Sequence, residues 1–342
     1  MSSDQPSGEG IRPTMMDVAA RAGVSQATVS LVLNGSPGAK LSDATRRRVR
    51  DAADTLGYRL PRRASRPAPA NQSVIGVIVD ELASDPWMAI AFGGAREKAL
   101  EYGMNIYLAV SNGDPANEAA IIENLENQPL VGIIYGTILT RQVHLPPSIS
   151  RKRAVLLNCY DAERRLNSVV PGDRLGGRIA TQRLIDAGRK RIGFINGQQG
   201  VDASRDRLKG YRQALASNEI SFDLKLVKSG NWEPSSGYTM TKELLALDSP
   251  PDAIFCANDL MALGCLDALH EAGICIPKDI SVIGFDDRDV ALHTHPPLTT
   301  LLLPHHEMGA IAAETLIEMA GTLNTTPVQI KVECPLIERA SV

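Results

Sequence analysis

The chain has 342 residues, 44% hydrophobic and 22% charged, with a net charge of −3 at pH 7, the make-up of a globular protein long enough for a small module plus a large domain. No run of about 18 apolar residues occurs, which excludes a membrane-spanning helix, and the polar start (1–13) has no apolar stretch of a secretory leader. Charge is uneven: residues 14–66 carry ten Lys/Arg against four Asp/Glu, a local +6, while residues 67–342 sum to −8; a basic head on an acidic body points to a polyanion as partner of the head alone.

In chain order, residues 1–13 read as a flexible tail and residues 14–60 as a head of three short helices. Thr14 can cap the first, Met16 to Ala22, with Asp17 near its positive end. Gly23 permits a tight turn, and Ser25 caps a second helix to about Leu33, whose apolar face is Val29, Val32 and Leu33. Ser42 caps a third, in which Val49, Ala52, Ala53 and Leu56 form one stripe, and Gly57-Tyr58 reads as a left-handed stop. Residues 61–73 are a Pro/Ala/Arg linker and the clearest boundary.

From residue 74 onward strand and helix patterns alternate. Short β-rich runs at 74–79, 131–134, 191–195, 253–255 and 280–285 are separated by helical stretches such as 91–102, 176–187 and 261–272. Strands without alternation, flanked by helices, belong to parallel sheets covered on both faces. A weak echo links the two halves: Gly76 precedes Gly94-Ala95-Arg96 by 18 residues, and Gly193 precedes Gly210-Tyr211-Arg212 by 17. Two similar α/β lobes would face their strand ends into one cleft, the usual ligand site of open α/β sheets.

Residues 17–34 have helix-turn-helix spacing: Ala19 is small where two helices cross, Gly23 makes the turn, and Val29 fills the space between them. The second helix can then enter a major groove. Gln26 can pair bidentately with adenine, while Ala27 and Leu31 offer apolar contact to a thymine methyl. Ser25, Thr28, Ser30 and Asn34, with Arg46, Arg47, Arg48 and Arg50, suit phosphates. The five cysteines lie far apart with no Cys-x-x-Cys pair, which predicts reduced thiols in the cytoplasm. His293/His295 and His305/His306 lack metal-ligand spacing, so they read as structural or surface histidines, with no metal and no cofactor expected.

At the level of whole motifs, residues 24–34, followed by Thr45-Arg46-x-Arg48-Val49 and Leu56-Gly57-Tyr58, resemble the LacI/GalR family of repressors. The likeness continues through Arg207-Leu208-Lys209-Gly210-Tyr211, residues 257–264, residues 280–287 and Pro297-Leu298-Thr299-Thr300. It implies an all-α helix-turn-helix head joined to a two-lobed, periplasmic-binding-protein-like α/β sensor with parallel, Rossmann-like lobes (74–342). The N-terminal lobe would span about 74–170 and 299–325, the C-terminal lobe about 171–298 and 326–342. It also implies a homodimer on double-stranded operator DNA and a small-molecule effector. Carried position by position, the likeness places Arg207, Asn258, Asp286, Trp232 and Trp87 in the cleft, with Asn158 at a position that is often polar and ligand-facing.

Such a set can grip hydroxyls and stack on a ring, which favours a sugar, with a purine as the alternative. Taken singly, Asp286 and Asp259 could instead cap helices, Arg207 could pair with Asp206, and either tryptophan could be core. Two features depart from the family pattern. The loop 35–41 is about two residues longer, and Pro67, with Pro69 close behind, stands about where a hinge-helix leucine would wedge the minor groove. Proline fits badly inside a helix yet is itself a known wedge, so a shorter hinge with Arg62, Arg63 and Arg66 on phosphates stands beside the helical one. A free solute-binding protein would fit the sensor but not the basic head, and the motifs of an enzyme (Gly-x-Gly-x-x-Gly after a strand, a P-loop, a nucleophile–base pair) do not occur.

Overall fold

The computed structural model describes residues 15–24, 26–33, 42–56, 74–145, 149, 152–320 and 326–342. The chain divides into two units, residues 1–66 and 67–342.

The first unit holds α1 (Met15–Ala22), α2 (Gln26–Leu33) and α3 (Asp43–Leu56). Each helix sends one valine wholly out of water: Val18, Val29 and Val49 are 0% exposed. Ala19, Ala22, Val32, Ala52 and Ala53 close the same core, with Leu33 and Leu56 at its margin. Each buried valine stabilises the unit by about 1.5–3 kcal/mol, and a core this small holds few of them. Gly23 has φ +63 with open space where a Cβ would lie, so its left-handed backbone, rather than crowding, is why glycine ends α1. The amide of Val24 then donates to the Ala19 carbonyl at 3.1 Å. The expected cap of α3 is formed: Ser42 Oγ accepts from the Thr45 amide at 3.1 Å.

The second unit is built on two parallel sheets. The first contains β1 (Val74–Val79), β2 (Asn105–Val110), β3 (Leu130–Val143), β4 (Ala154–Asp161), β5 (Asn167–Pro171) and β11 (Gln329–Val332), in the order β11-β5-β4-β3-β1-β2. The second contains β6 (Ile192–Asn196), β7 (Val227–Ser229), β8 (Ala253–Cys256) and β9 (Ser281–Ile283), in the order β7-β6-β8-β9. β1, β6 and β8 are buried along their whole length, as strands covered on both faces must be. The covering helices are α4 (Trp87–Glu101), α5 (Pro115–Glu126) and α11 (His305–Ala320) for the first sheet. Around the second lie α6 (Asp173–Asp186), α7 (Asp202–Ser217), α8 (Pro234–Leu245), α9 (Asp259–Glu271) and the short α10 (Val290–His293).

Three helix pairs cross on reciprocal glycines: Gly94 and Gly309 for α4 with α11, Gly177 and Gly210 for α6 with α7, Gly237 and Gly264 for α8 with α9. A Cβ at any of the six would fall inside the facing backbone, so each pair can approach only because neither helix has a side chain there.

The expected lobe boundaries need two corrections. Thr299 bridges Ile283, and β10 (Thr300–Leu301) pairs antiparallel with β12 (Leu336–Ile337), so residues 299–302 run beside the second sheet rather than opening the N-terminal lobe's return. Residues 329–332, assigned by sequence to the C-terminal lobe, pair in parallel with β5 and complete the edge of the first sheet. The half-exposed β11 carries no apolar run long enough to announce its partner. The chain therefore passes between the sheets three times, after Pro171, after Leu302 and after Val332.

Gly264→Ala should lower unfolding stability by about 1–3 kcal/mol, since the overpacking against the Pro234 carbonyl outweighs the helix-propensity gain of alanine. Urea unfolding followed by circular dichroism measures it; an unchanged midpoint would mean that α8 and α9 separate at no cost.

Candidate functional site

In the head, the backbone of α2 carries Gln26, Ala27, Ser30 and Leu31 at the start and middle of the helix; Val29 and Val32 face the core. Thr28 is half-buried. On α3, Arg47, Arg48 and Arg50 are exposed and Arg46 is half-buried. Thr14, Ser25, Asn34, Arg62 and Arg63, with the loop 35–41 and Pro67, lie outside the described residues.

In the sensor, the ends of both sheets meet at one cleft. Its walls include all six residues the family likeness assigned: Trp87, Asn158, Arg207, Trp232, Asn258 and Asp286. Asp85, Pro171, Ala203, Arg288, Leu303, His305 and the segment 138–140 complete it.

Arg207 is the centre of the charge network. The Gly177/Gly210 crossing presses α7 onto α6 and sets the guanidinium beside Asp173, with Nε donating to Oδ1 at 2.8 Å. A second nitrogen donates to the Ala257 carbonyl and lies 3.8 Å from Asp286 Oδ1. The flat group rests 3.6 Å from the Phe285 ring centroid and 5.8 Å from that of Trp232. Both partners of the Arg207–Asp173 pair are about 95% buried. Burial pushes the Asp173 carboxyl up and Arg207 opposes it. The alternative pairing of Arg207 with Asp206 is not formed, because Asp206 binds Arg205 and Lys209 instead.

Asp286 follows β9 in a left-handed conformation, φ 117, which a residue with a Cβ rarely adopts. Two bonds hold it there: its amide donates to the Leu301 carbonyl at 2.7 Å, and its carbonyl accepts from the Leu303 amide at 3.2 Å. Burial raises its carboxyl to about 7, while Arg207 and Arg288 pull it down and Asp85 pushes it up. Its neighbour Asp259, the first residue of α9, accepts from Thr300 Oγ1 at 2.6 Å and from the Arg288 amide at 2.8 Å. Burial and then Asp286 drive that carboxyl far above its ordinary range.

Two of the assigned residues serve the wall more than the space. Asn258 caps α9, accepting from the Met261 amide at 2.9 Å, and donates to the Trp232 carbonyl at 2.9 Å. Asn158 donates to the carbonyls of Thr137 and Ile138 at 2.9 and 3.0 Å and accepts from Thr140 Oγ1 at 2.6 Å. It thereby shapes the irregular stretch of β3, and both its amide protons are engaged. Trp232, at φ 72, lies flat on Gly197, where any Cβ would strike the indole.

Of the wall residues outside the sequence reading, Arg288, Asp85 and His305 carry the polar chemistry. Arg288 reaches across the cleft: its guanidinium lies 2.6 Å from Asp85 and 4.7 Å from the Trp87 ring centroid, while its Nε is 3.5 Å from Asp286. Asp85 precedes α4 on the first sheet and Arg288 follows β9 on the second, so this ion pair spans the lobes. Tyr160 makes a second span, donating to Asp202 at 2.5 Å. His305 opens α11 and stacks on Trp87 at 5.2 Å. The one signal available was position: Arg288 stands two residues past Asp286, and His305 just after the last sheet-to-sheet passage but one. No group of His, Cys, Asp and Glu suited to a metal ion occurs among the described residues, and no described helix is long and apolar enough to cross a membrane.

Comparison with known proteins agrees with both halves. Residues 14–60 match the model of bacterial regulatory proteins of the lacI family, and residues 181–342 match the periplasmic binding protein-like domain. The HTH-type transcriptional regulator CelR of Thermobifida fusca is 35% identical, over 96% of this chain and 98% of its own length. A solved CelR–cellobiose complex is 32% identical with a TM-score of 0.67, covering 97% of this chain and all of that one. The lac repressor dimer bound to operator and the anti-inducer ONPF is 26% identical with a TM-score of 0.67, covering 97% and 99%.

Asp173→Asn removes the charge that balances Arg207 in the interior, and should cost about 3–5 kcal/mol of stability at pH 7. Chemical unfolding tests it; a loss below 1 kcal/mol would show that Arg207 is compensated without Asp173.

Proposed function

Because the chain belongs to the lacI family of bacterial transcription regulators, we propose that it acts in the cytoplasm as a homodimeric repressor of a palindromic operator, released or tightened by a neutral sugar held in the sensor cleft. The observation that carries the reading is the convergence of Arg207, Asp286, Trp87 and Trp232 on one cleft at the strand ends of two parallel sheets. A carboxylate that accepts, a guanidinium that donates and two indole faces recognise a ring bearing hydroxyls. Charge favours a neutral ligand: the two arginines of the wall are already engaged, Arg207 by the buried Asp173 behind it and Arg288 by Asp85, with Asp286 near both. The similar CelR structure contains cellobiose, and the similar lac repressor structure is a dimer on operator, which supports the sugar class and the dimer.

Coupling follows from where the cleft sits. A sugar that touches both walls must share space with the Arg288–Asp85 span over Trp87, so its affinity depends on how far the two sheets stand apart. A ligand shifts DNA binding only by its difference in affinity for the two arrangements. In the head, Gln26, Ala27 and Leu31 read bases, and Ser25, Thr28, Ser30, Asn34 and Arg46 hold phosphates, with Thr14, Arg62 and Arg63 at the flanks.

Two measurements test this reading. Gln26→Ala should flatten base preference at one operator position by about 1–3 kcal/mol, whereas Arg47→Ala weakens every duplex alike; selection on random duplexes separates them, and an unaltered preference in Gln26→Ala sinks the assignment of α2. Sugar binding should quench tryptophan fluorescence through Trp232, a response absent from Trp232→Phe. Its affinity should also rise roughly tenfold from pH 6 to pH 8, because Asp286, poised at about 7, accepts hydroxyls best when ionised. An affinity that falls over that interval contradicts the carboxylate's role.

A further inference from the structure

We propose that His305 is a specificity-determining residue of the cleft, whose neutral imidazole takes a hydrogen bond from one hydroxyl of the effector and gives one to another, non-adjacent group. The proposal rests on the sugar reading above and names the group that reads the sugar.

Several polar atoms of the wall are already engaged. Asn158 has both amide protons and its oxygen in use. Asn258 has its oxygen on Met261 and one proton on Trp232. Arg207 has Nε on Asp173 and Nη1 on Ala257. His305 differs: it is 1% exposed, it lines the cleft, and neither ring nitrogen meets a protein partner. Trp232 Nε1, in the same wall, is likewise unpartnered and buried. Buried polar groups in folded proteins are nearly always paired, so two unpaired groups in the wall of one cleft mark where a ligand supplies the partners.

A structural histidine would use a ring nitrogen to tie down a carbonyl or carboxylate. His305 is tied down by its backbone instead, the amide donating to the Leu303 carbonyl at 2.9 Å. The next residue, His306, turns away to Glu97 at 3.2 Å, so the histidine pair does not act together. The ring is instead held by stacking on Trp87, at 5.2 Å and 16° between planes. Burial first, and Arg207 second, push its protonation down to about 3, leaving a neutral ring with one N–H and one lone pair. The ring's N–H and lone pair point in nearly opposite directions, so each meets a separate hydroxyl of the effector, one accepting and one giving. Asp286, which when ionised can only accept, completes the set from the other sheet. An ammonium could serve the acceptors but would leave the imidazole N–H unpaired. A carboxylate or phosphate would meet Asp85 and Asp286.

The test uses the full-length protein and two variants. His305→Phe keeps an aromatic ring on Trp87 and deletes both nitrogens; His305→Gln keeps a donor and an acceptor. Cellobiose, glucose and galactose are titrated by calorimetry, with thermal unfolding of the free proteins alongside. For whichever sugar binds wild type, we expect at least a tenfold weaker Kd in His305→Phe, partial recovery in His305→Gln, and a Tm of free His305→Phe equal to or above wild type, since an unpaired polar ring has been replaced by an apolar one. Binding by His305→Phe within twofold of wild type overturns the proposal. So does a lowered Tm with lost affinity that glutamine does not recover, which would make the ring a packing residue. If wild type binds none of the three, the sugar reading itself fails and the inference falls with it.

Discussion

A single buried cation organises the sensor. Arg207 cannot shed its proton, so its place in the interior obliges the fold to bring Asp173, the Ala257 carbonyl and the face of Phe285 to it. Asp173 begins the helix directly after the first passage between sheets, Ala257 follows β8 and Phe285 lies two residues past β9, so one guanidinium fixes the ends of two strands and the root of a connection. The arrangement is reached only because Gly177 and Gly210 let α6 and α7 touch backbone to backbone. Buried ion pairs are poor sources of stability when compared with apolar packing. Their value here is geometric: a charge that cannot move defines where the cleft floor lies.

The walls are less constrained than the floor. Where the sheets face each other, the described contacts include Arg288 with Asp85 and over the Trp87 ring, and Tyr160 with Asp202. Each is an exchangeable contact between side chains, unlike the glycine-locked helix pairs within either sheet layer. The seam is therefore held by contacts that a ligand or water can replace, while each layer keeps its own packing. That contrast between rigid layers and a replaceable seam is the physical basis for coupling in the proposed function.

Local signals were legible in the sequence, and tertiary ones were not. Gly23, the Ser42 cap and the Val29/Val49 core could be read because each depends on residues within a turn or two of itself. The parallel sheets were legible from continuous apolar runs such as 74–79. Their edges were not, because β11 is half-exposed and pairs with a strand far away in the chain. The cleft residues came through family likeness, yet likeness alone did not separate Asn158, whose amide is tied to the backbone of β3, from Asp286, whose carboxylate faces the space. His305 and Arg288 were missed because their importance comes from meeting Trp87, and nothing in the spacing of residues 87, 288 and 305 encodes that meeting.

The late position of β11 has a consequence for synthesis on the ribosome. The first sheet is finished only when Gln329–Val332 docks beside β5, near the very end of the chain, whereas the helices of the head emerge within the first sixty residues. At about 5–20 residues per second, the head is outside the exit tunnel for tens of seconds before its sensor can close. Translation thus presents a reader of DNA without its governor, and any premature stop after the head would leave a chain that keeps the basic module but has lost the part that answers to metabolism.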